Sequence, residues 1–340
     1  MDAALAWLAT VPAGEPIFLW VHLWDVHEPN APTPEFAALL APDEALRELV
    51  ARRGLDVAEL RRRFAGDRRI GEHFFAVTER KPERQLPGQR TSGVPKRGTS
   101  GPDFVIDAEA LVRLHARYDA CVRQVDHEVG RLIDAMTARG SWPRTAFVLT
   151  ADHGQSLGEG ARLGHVRNTE INIRVPLVIR FPAGRAARPA RSGVLVSLVD
   201  LMPTLLAALP IGGLETWRAQ FAGLDVLAPS CERAGVFTAE ETGSRRGKKL
   251  RYECALETGR WKYVRAEGEP GRLYDLEGAG ETIDVSAENE SLAAELARLL
   301  ESELARSNLA PGKDEPLDPE SQALLDELEG LGYGGEEEDE

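Results

Sequence analysis

The sequence predicts an α/β fold: a mostly parallel central sheet flanked by helices, followed by a small C-terminal α+β subdomain. Three observations carry that prediction. Ile17–Trp24 (IFLWVHLW) is a nearly continuous apolar and aromatic run, the pattern of a parallel strand covered on both faces. Asp107–Met136 holds the clearest helical periodicity in the chain. Thr145–Thr150 (TAFVLT) and Val175–Phe181 (VPLVIRF) then repeat the buried-strand pattern, so strand and helix alternate.

Taken in order, Ala3–Leu8 reads as the end of a helix already packed against something, so the chain is expected to begin in mid-domain. Pro29 stops the first strand, because it has no N–H to give a ladder. Asp43–Ala65 has helical spacing through Leu46, Leu49, Val50, Val57, Leu60 and Phe64, with Gly54 as a break. Residues 79–101 mix Pro, Gly, Ser and alternating charge, as a surface loop or insertion does. In the long helix Leu111, Leu114, Tyr118, Val122, Val125, Val129, Leu132 and Met136 recur every three or four residues, and Gly140 supplies the stop. Tyr118 and Asp126 read there as packing and capping residues. Ser197–Leu209 is a short apolar helix. Beyond Gly223 the texture changes: Cys254–Val264 and Leu273–Leu276 read as strands of a smaller sheet, and Glu288–Arg306 as an amphipathic helix. The expected domains are 1–225, with the 79–101 insertion, then 226–308, then a linker, short helix and acidic tail over 309–340.

The 41 basic and 55 acidic residues give a net charge of −14, which lacks the basic stripe a nucleic-acid binder uses to displace counterions. The final Glu336–Glu340 run is a solvated tail. Cys121, Cys231 and Cys254 form neither a disulfide framework nor zinc-ligand spacing, and Cys121 lies where a small buried thiol packs in a helix. No stretch reaches the roughly 18 apolar residues of a membrane span. Residues 1–16 lack the basic and apolar regions of a signal peptide.

Chemistry centres on Asp152-His153-Gly154, directly after the strand Thr145–Thr150. In open α/β sheets ligands bind beyond the carboxyl ends of strands, and a carboxylate beside an imidazole suits one divalent cation. His165 follows across the glycine-rich Gly154–Gly160, which could fold the chain back on itself, and His27 lies just past the first apolar run. A cation with several imidazoles suits an anionic ester: it stabilises charge on equatorial and leaving oxygens, and histidine can act as a general acid near neutral pH.

The segments FLWVHLWDVHEPN, YDACVRQVDHEVGRLIDAM, TAFVLTADHGQSLGE, GH followed by IRVPLVIRFP, VSLVDLMPTLL and LYDLEGAGET occur in that order. Together they resemble the sulfatase family of the alkaline phosphatase superfamily, and the terminal Leu331-Gly332-Tyr333 resembles a common bacterial ending. The resemblance implies an alkaline phosphatase-like fold, here incomplete, and hydrolysis of a small-molecule or glycan sulfate ester. It implies Asp152 and His153 as metal ligands, and His27 and His165 as catalytic contacts to the sulfate or its leaving oxygen. One divalent metal is implied, Ca2+ by family habit, with Mn2+ or Zn2+ admitted by the imidazole of His153. A periplasmic or extracellular location is the family's usual one. Arg174 reads as a structural arginine.

Two family elements are missing from the pattern. The opening strand with its Asp-Asp pair is not found, nor is the nucleophile in Cys/Ser-x-Pro/Ala-x-Arg; Ser230-Cys231-Glu232-Arg233 does not match it. The isolated chain is therefore expected to be inactive, with the nucleophile in an N-terminal segment outside it. Two other readings compete: a phosphoethanolamine or related phosphoryl transferase of the same superfamily, and a non-catalytic binding protein on a decayed sulfatase frame.

Overall fold

The structure is a computed structural model that describes residues 1–39, 42–64, 70, 74–75, 106–165, 168–184, 191–209, 221–228, 231, 233–242 and 251–307. The expected loop at 79–101 and the expected tail at 309–340 lie outside the described residues. Two compact units interleave in sequence. The first is Met1–Thr150, Gln155–His165 and Leu177–Gly184; the second is Ala151–Gly154, Val166–Pro176 and Arg185–Glu340. The partition at residue 225 stays a proposal about domains.

The first unit is organised by one long helix, Ala108–Ala138, close to the predicted span. Asp107 caps it by accepting a 2.7 Å hydrogen bond from the Ala110 N–H. Gly140 ends it at φ +71, a conformation that a side chain would strain. The N-terminal half of the helix is the buried half: Leu111, Val112 and Leu114 pack with Val50, Leu60, Phe74, Ile106 and Leu157, and Tyr118 packs against that cluster. Val122 is exposed despite its place in the repeat, and Asp126 pairs with Arg123 on the surface instead of capping. Arg139 donates to the carbonyls of Leu8, Val11 and Pro12 at 2.6–2.8 Å, which fixes the end of the first helix, Asp2–Thr10. Burial pushes the Cys121 thiol up to about 12, as suits an inert packing group.

Two expectations about strands need correction. Phe147–Thr150 and Leu177–Arg180 do pair, but antiparallel, with Phe147 opposite Arg180 and Thr150 opposite Leu177. A parallel pair needs a crossover helix over the sheet face. Between these strands the described chain holds only a two-residue hairpin, a 3-10 turn and the four-residue helix Glu170–Ile173. Ile17–Trp24 is in no strand among the described residues. Its side chains alternate instead: Ile17, Leu19, Val21 and Leu23 are half-buried, while Phe18 is 82% and Trp20 79% exposed. The period of two belongs to an extended chain, but one face is bare rather than covered. The α/β class holds; the pairing partners expected for a parallel sheet are absent from the described residues.

The second unit carries a four-stranded antiparallel meander, Val236–Thr242, Arg251–Glu257, Trp261–Ala266 and Arg272–Asp275, paired in sequence order. What the sequence reads as one strand over 254–264 is a hairpin, turned at Gly259 with φ +92. The helix Glu290–Ser307 lays Leu296 and Leu300 on Cys254, Leu256, Tyr263 and Leu273 to form this unit's core. Lys262, fully buried in the third strand, donates to the Asn168 carbonyl at 2.6 Å and to Glu281 at 2.7 Å, with Glu170 at 3.4 Å. It ties the segment around the Glu170–Ile173 helix to the sheet. Asp200, also fully buried, accepts from the N–H groups of Ser197 and Leu224 at 2.8 Å and from Arg233 at 2.7 Å. The arginine of Ser230-Cys231-Glu232-Arg233 is thus structural. No helix among the described residues is long and apolar enough to cross a membrane.

Burial, together with the neighbouring Glu170 carboxyl, pushes Glu257 up from 4.5 to about 7, against the opposing charges of Lys262 and Arg174. A carboxyl raised on folding holds an extra proton in the folded state between those two values, so stability rises as pH falls through that window. Thermal unfolding is expected at higher temperature at pH 5.5 than at pH 8, with Glu257→Gln flattening the difference. An unchanged slope in Glu257→Gln would remove Glu257 as its source.

Candidate active site

The turn from Trp24 to Asn30 places His27. The His27 N–H bonds to the Trp24 carbonyl and the Asn30 N–H to the His27 carbonyl, each at 3.0 Å. Asn30 adopts φ +49, tolerable for asparagine, and its side chain donates to the Val26 carbonyl at 2.8 Å. The Glu28–Pro29 peptide is cis. The long helix holds this turn from below: the Gln124 amide bonds Asp25 and accepts from the Thr33 N–H at 2.8 Å, while Arg117 donates to the Phe74 carbonyl at 2.9 Å and the Pro29 carbonyl at 3.3 Å. Trp24 stacks on the His27 ring with centroids 4.3 Å apart.

His165 arrives on a short hairpin, Ser156–Leu157 against Leu163–Gly164. The glycine-rich stretch does fold the chain back. Gly158 sits at φ +120 against Leu55 and Leu60, where a Cβ would come within 3.1 Å of the Leu55 side chain. Leu157 plugs into the core of the first unit, which fixes the hairpin's position.

Within this unit the structure brings His27 and His165 together, with ring centroids 5.2 Å apart, and Glu28 joins them. Glu28 is buried; its carboxylate lies 3.7 Å from His27 Nδ1 and 3.6 Å from His165 Nδ1, and accepts from the Gln155 amide at 3.1 Å. Burial pushes this carboxyl up, but His165 and the charge of His27 outweigh it and hold the group down at about 2. It stays an anion at any ordinary pH beside both imidazoles, while the His27 ring is fixed by Nδ1 donating to the Glu28 backbone carbonyl at 2.9 Å. Glu28 and Gln155 went unread in the sequence as site residues. Their only signal was adjacency, Glu28 to His27 and Gln155 to the Asp-His-Gly tripeptide.

Asp152 and His153 belong to the second unit. Gly154 is required there: its N–H bonds the Asn172 carbonyl at 2.6 Å, and a Cβ would lie 2.0 Å from the Ile171 carbonyl oxygen. Asp152 Oδ1 accepts from the His153 N–H at 3.0 Å. The His153 Nδ1 lies 2.8 Å from the Gly154 carbonyl oxygen, which can only accept, so the proton sits on Nδ1 and the lone pair on Nε2. Nε2 is 3.8 Å from Asp152 Oδ2. One carboxylate oxygen and one imidazole nitrogen at that separation can both reach a single cation about 2.0–2.2 Å from each. The backbone acceptor behind the ring is the usual support of a metal-bound histidine. The donor set fits half of a divalent-metal shell.

Comparisons with known proteins bear on the family and the fold. The choline-sulfatase of Rhizobium meliloti is 29% identical over 189 residues, 55% of this chain and 36% of that protein. A multifunctional alkaline phosphatase superfamily protein of Trinickia caryophylli is 27% identical over 206 residues, 53% of this chain and 37% of that protein. The solved structure of a 2-O GAG sulfatase superposes with a TM-score of 0.50 at 20% identity, over 59% of this chain and 45% of that one, which places the fold as alkaline phosphatase-like. The chain spans less than half the length of each of these relatives. The sequence profile of the Sulfatase family matches residues 1–211, more than half of the 340, and the chain belongs to the sulfatase family.

Proposed function

We propose that the chain carries one part of a metal-dependent sulfuric-ester hydrolase, and that its nucleophile lies in a segment outside these 340 residues. The convergence of His27 and His165 on the buried Glu28 carboxylate is the observation that most supports this reading. In it, the two imidazoles bind non-bridging oxygens of the ester, and one of them passes a proton to the leaving oxygen. Glu28 holds the rings in place for that task. Asp152 and His153 would supply two ligands to a divalent cation, which when bound polarises the sulfuryl oxygens. Ca2+ is the ion favoured by family habit, although the His153 nitrogen also suits Mn2+ or Zn2+. The substrate is a small-molecule or glycan sulfate ester.

The test compares this chain with the polypeptide read in frame through the DNA upstream of Met1. The chain alone is expected to leave an aryl sulfate untouched, and the longer polypeptide to hydrolyse it. In the longer polypeptide His27→Ala should lower kcat by about 10²–10³-fold, the usual worth of a positioned acid or oxyanion donor. Hydrolysis by the 340-residue chain at an enzymatic rate, or full activity in His27→Ala, would defeat the proposal. Similarity to the multifunctional alkaline phosphatase superfamily protein of Trinickia caryophylli favours a second arm with aryl phosphate esters. A strong preference for phosphate there would move the reading to phosphoryl chemistry.

A further inference from the structure

The same His27–Glu28–His165 cluster has the composition of a transition-metal site, separate in kind from the Asp152–His153 pair. One ligand atom from each of the three residues lies within 4.8 Å of the others. The set is two imidazole nitrogens and one carboxylate oxygen, which is the set that holds zinc in open sites with a fourth position left for water or a ligand. It offers too few oxygens for Ca2+, which takes six to eight. The geometry points to a binding site for a zinc-class divalent cation at His27, Glu28 and His165.

Three observations beyond composition support the site. The acid is buried between the two rings, with one oxygen turned toward each imidazole. The ligands ride on supports fixed elsewhere: Trp24 stacks on the His27 ring, the Gln124 and Arg117 side chains clamp the turn, and Leu157 seats the hairpin that carries His165. The spacing is within reach of a single ion: one ligand atom from each residue lies within 4.8 Å of the others, and ligands about 2.0–2.1 Å from a tetrahedral ion stand roughly 3.3 Å apart. Where the proposed hydrolase reading holds, such an ion would occupy the lone pairs of His27 and His165 and inhibit. Binding itself does not depend on that reading.

The test titrates Zn2+ into this chain by calorimetry and Co2+ by visible absorption, with no substrate present. One Zn2+ per chain is expected, together with the intense d–d bands of four-coordinate Co2+. Glu28→Gln and His165→Gln should each weaken Zn2+ binding by about 10–100-fold, while the surface change Asp126→Asn leaves it unchanged. The Co2+ spectrum of the unaltered chain decides coordination without any variant, so misfolding of a variant cannot mask the answer. No binding, octahedral Co2+ bands alone, or equal affinity in His165→Gln would overturn the site. None of these outcomes bears on sulfate-ester hydrolysis by the longer polypeptide, which is measured separately.

Discussion

Lys262→Met is expected to destabilise the C-terminal unit by about 3–5 kcal/mol, the range for removing one partner of a buried ion pair. The lysine gives its ammonium to the Asn168 carbonyl and the Glu281 carboxylate, with Glu170 next in reach, and has no exposed surface of its own. Methionine fills the same tunnel but leaves a carbonyl and two carboxylates facing an apolar tip. The carboxylates are about one-fifth exposed, so water relieves part of the penalty and the lower end of the range is the better expectation. A loss of that size shifts the midpoint by roughly 6–12 °C, at about 2–4 °C per kcal/mol for a unit of this size. Thermal or urea unfolding measures it. Adding Glu170→Gln and Glu281→Gln should recover part of the loss, because the strain lies in unmatched charge. A single mutant within 1 kcal/mol of the parent, by the usual scale of surface changes, would mean the network is not holding the unit together.

Asp200→Ala should cost a similar amount, about 3–5 kcal/mol, by the same rule for a buried charge left without its partner. All three groups around Asp200 are donors: the Ser197 and Leu224 N–H groups and the Arg233 guanidinium. Alanine orphans every one of them, in a capping box that starts the 3-10 turn Leu198–Asp200 just before the helix Leu201–Ala208. Asparagine should be intermediate. Its carbonyl can take the place of Oδ1, which serves Leu224 and Arg233, but its amide would face the Ser197 N–H as donor against donor. The order of stability expected in urea is Asp, then Asn, then Ala. Equal stability for Asn and Ala would show that the Oδ1 side contributes nothing.

What the sequence shows of this protein depends on whether a residue's partner is close in the chain. The long helix was legible from its own repeat and from Asp107 and Gly140 at its ends, because caps and periodicity are local. Asp152, His153, His165 and His27 stood out by residue type and by position after apolar runs. Glu28 did not: an acid next to histidine is commonplace, and its meaning comes from His165, far along the chain. Lys262 has nothing in its local sequence to mark it as buried, yet it is fully buried against Asn168 and Glu281. Strand direction was likewise hidden. The run at 147–150 fits a parallel or an antiparallel neighbour equally well, and only the register with Leu177–Arg180 chooses. The short Gly259 turn was hidden because a single glycine is a weak stop, and the residues on both sides of Glu257–Arg260 suit a strand.

The bare face of Ile17–Trp24 gives the chain two kinds of indole. Trp142 sits under the Arg180 guanidinium at 4.4 Å and meets the Phe147 ring edge-on, so it is sheltered from collisions. Trp20, at 79% exposure, stands in water. Its fluorescence is expected to be that of indole in solvent, open to a dissolved quencher. Any molecule that came to cover the stripe would shift that emission to the blue, making Trp20 a built-in reporter for contact along residues 17–24.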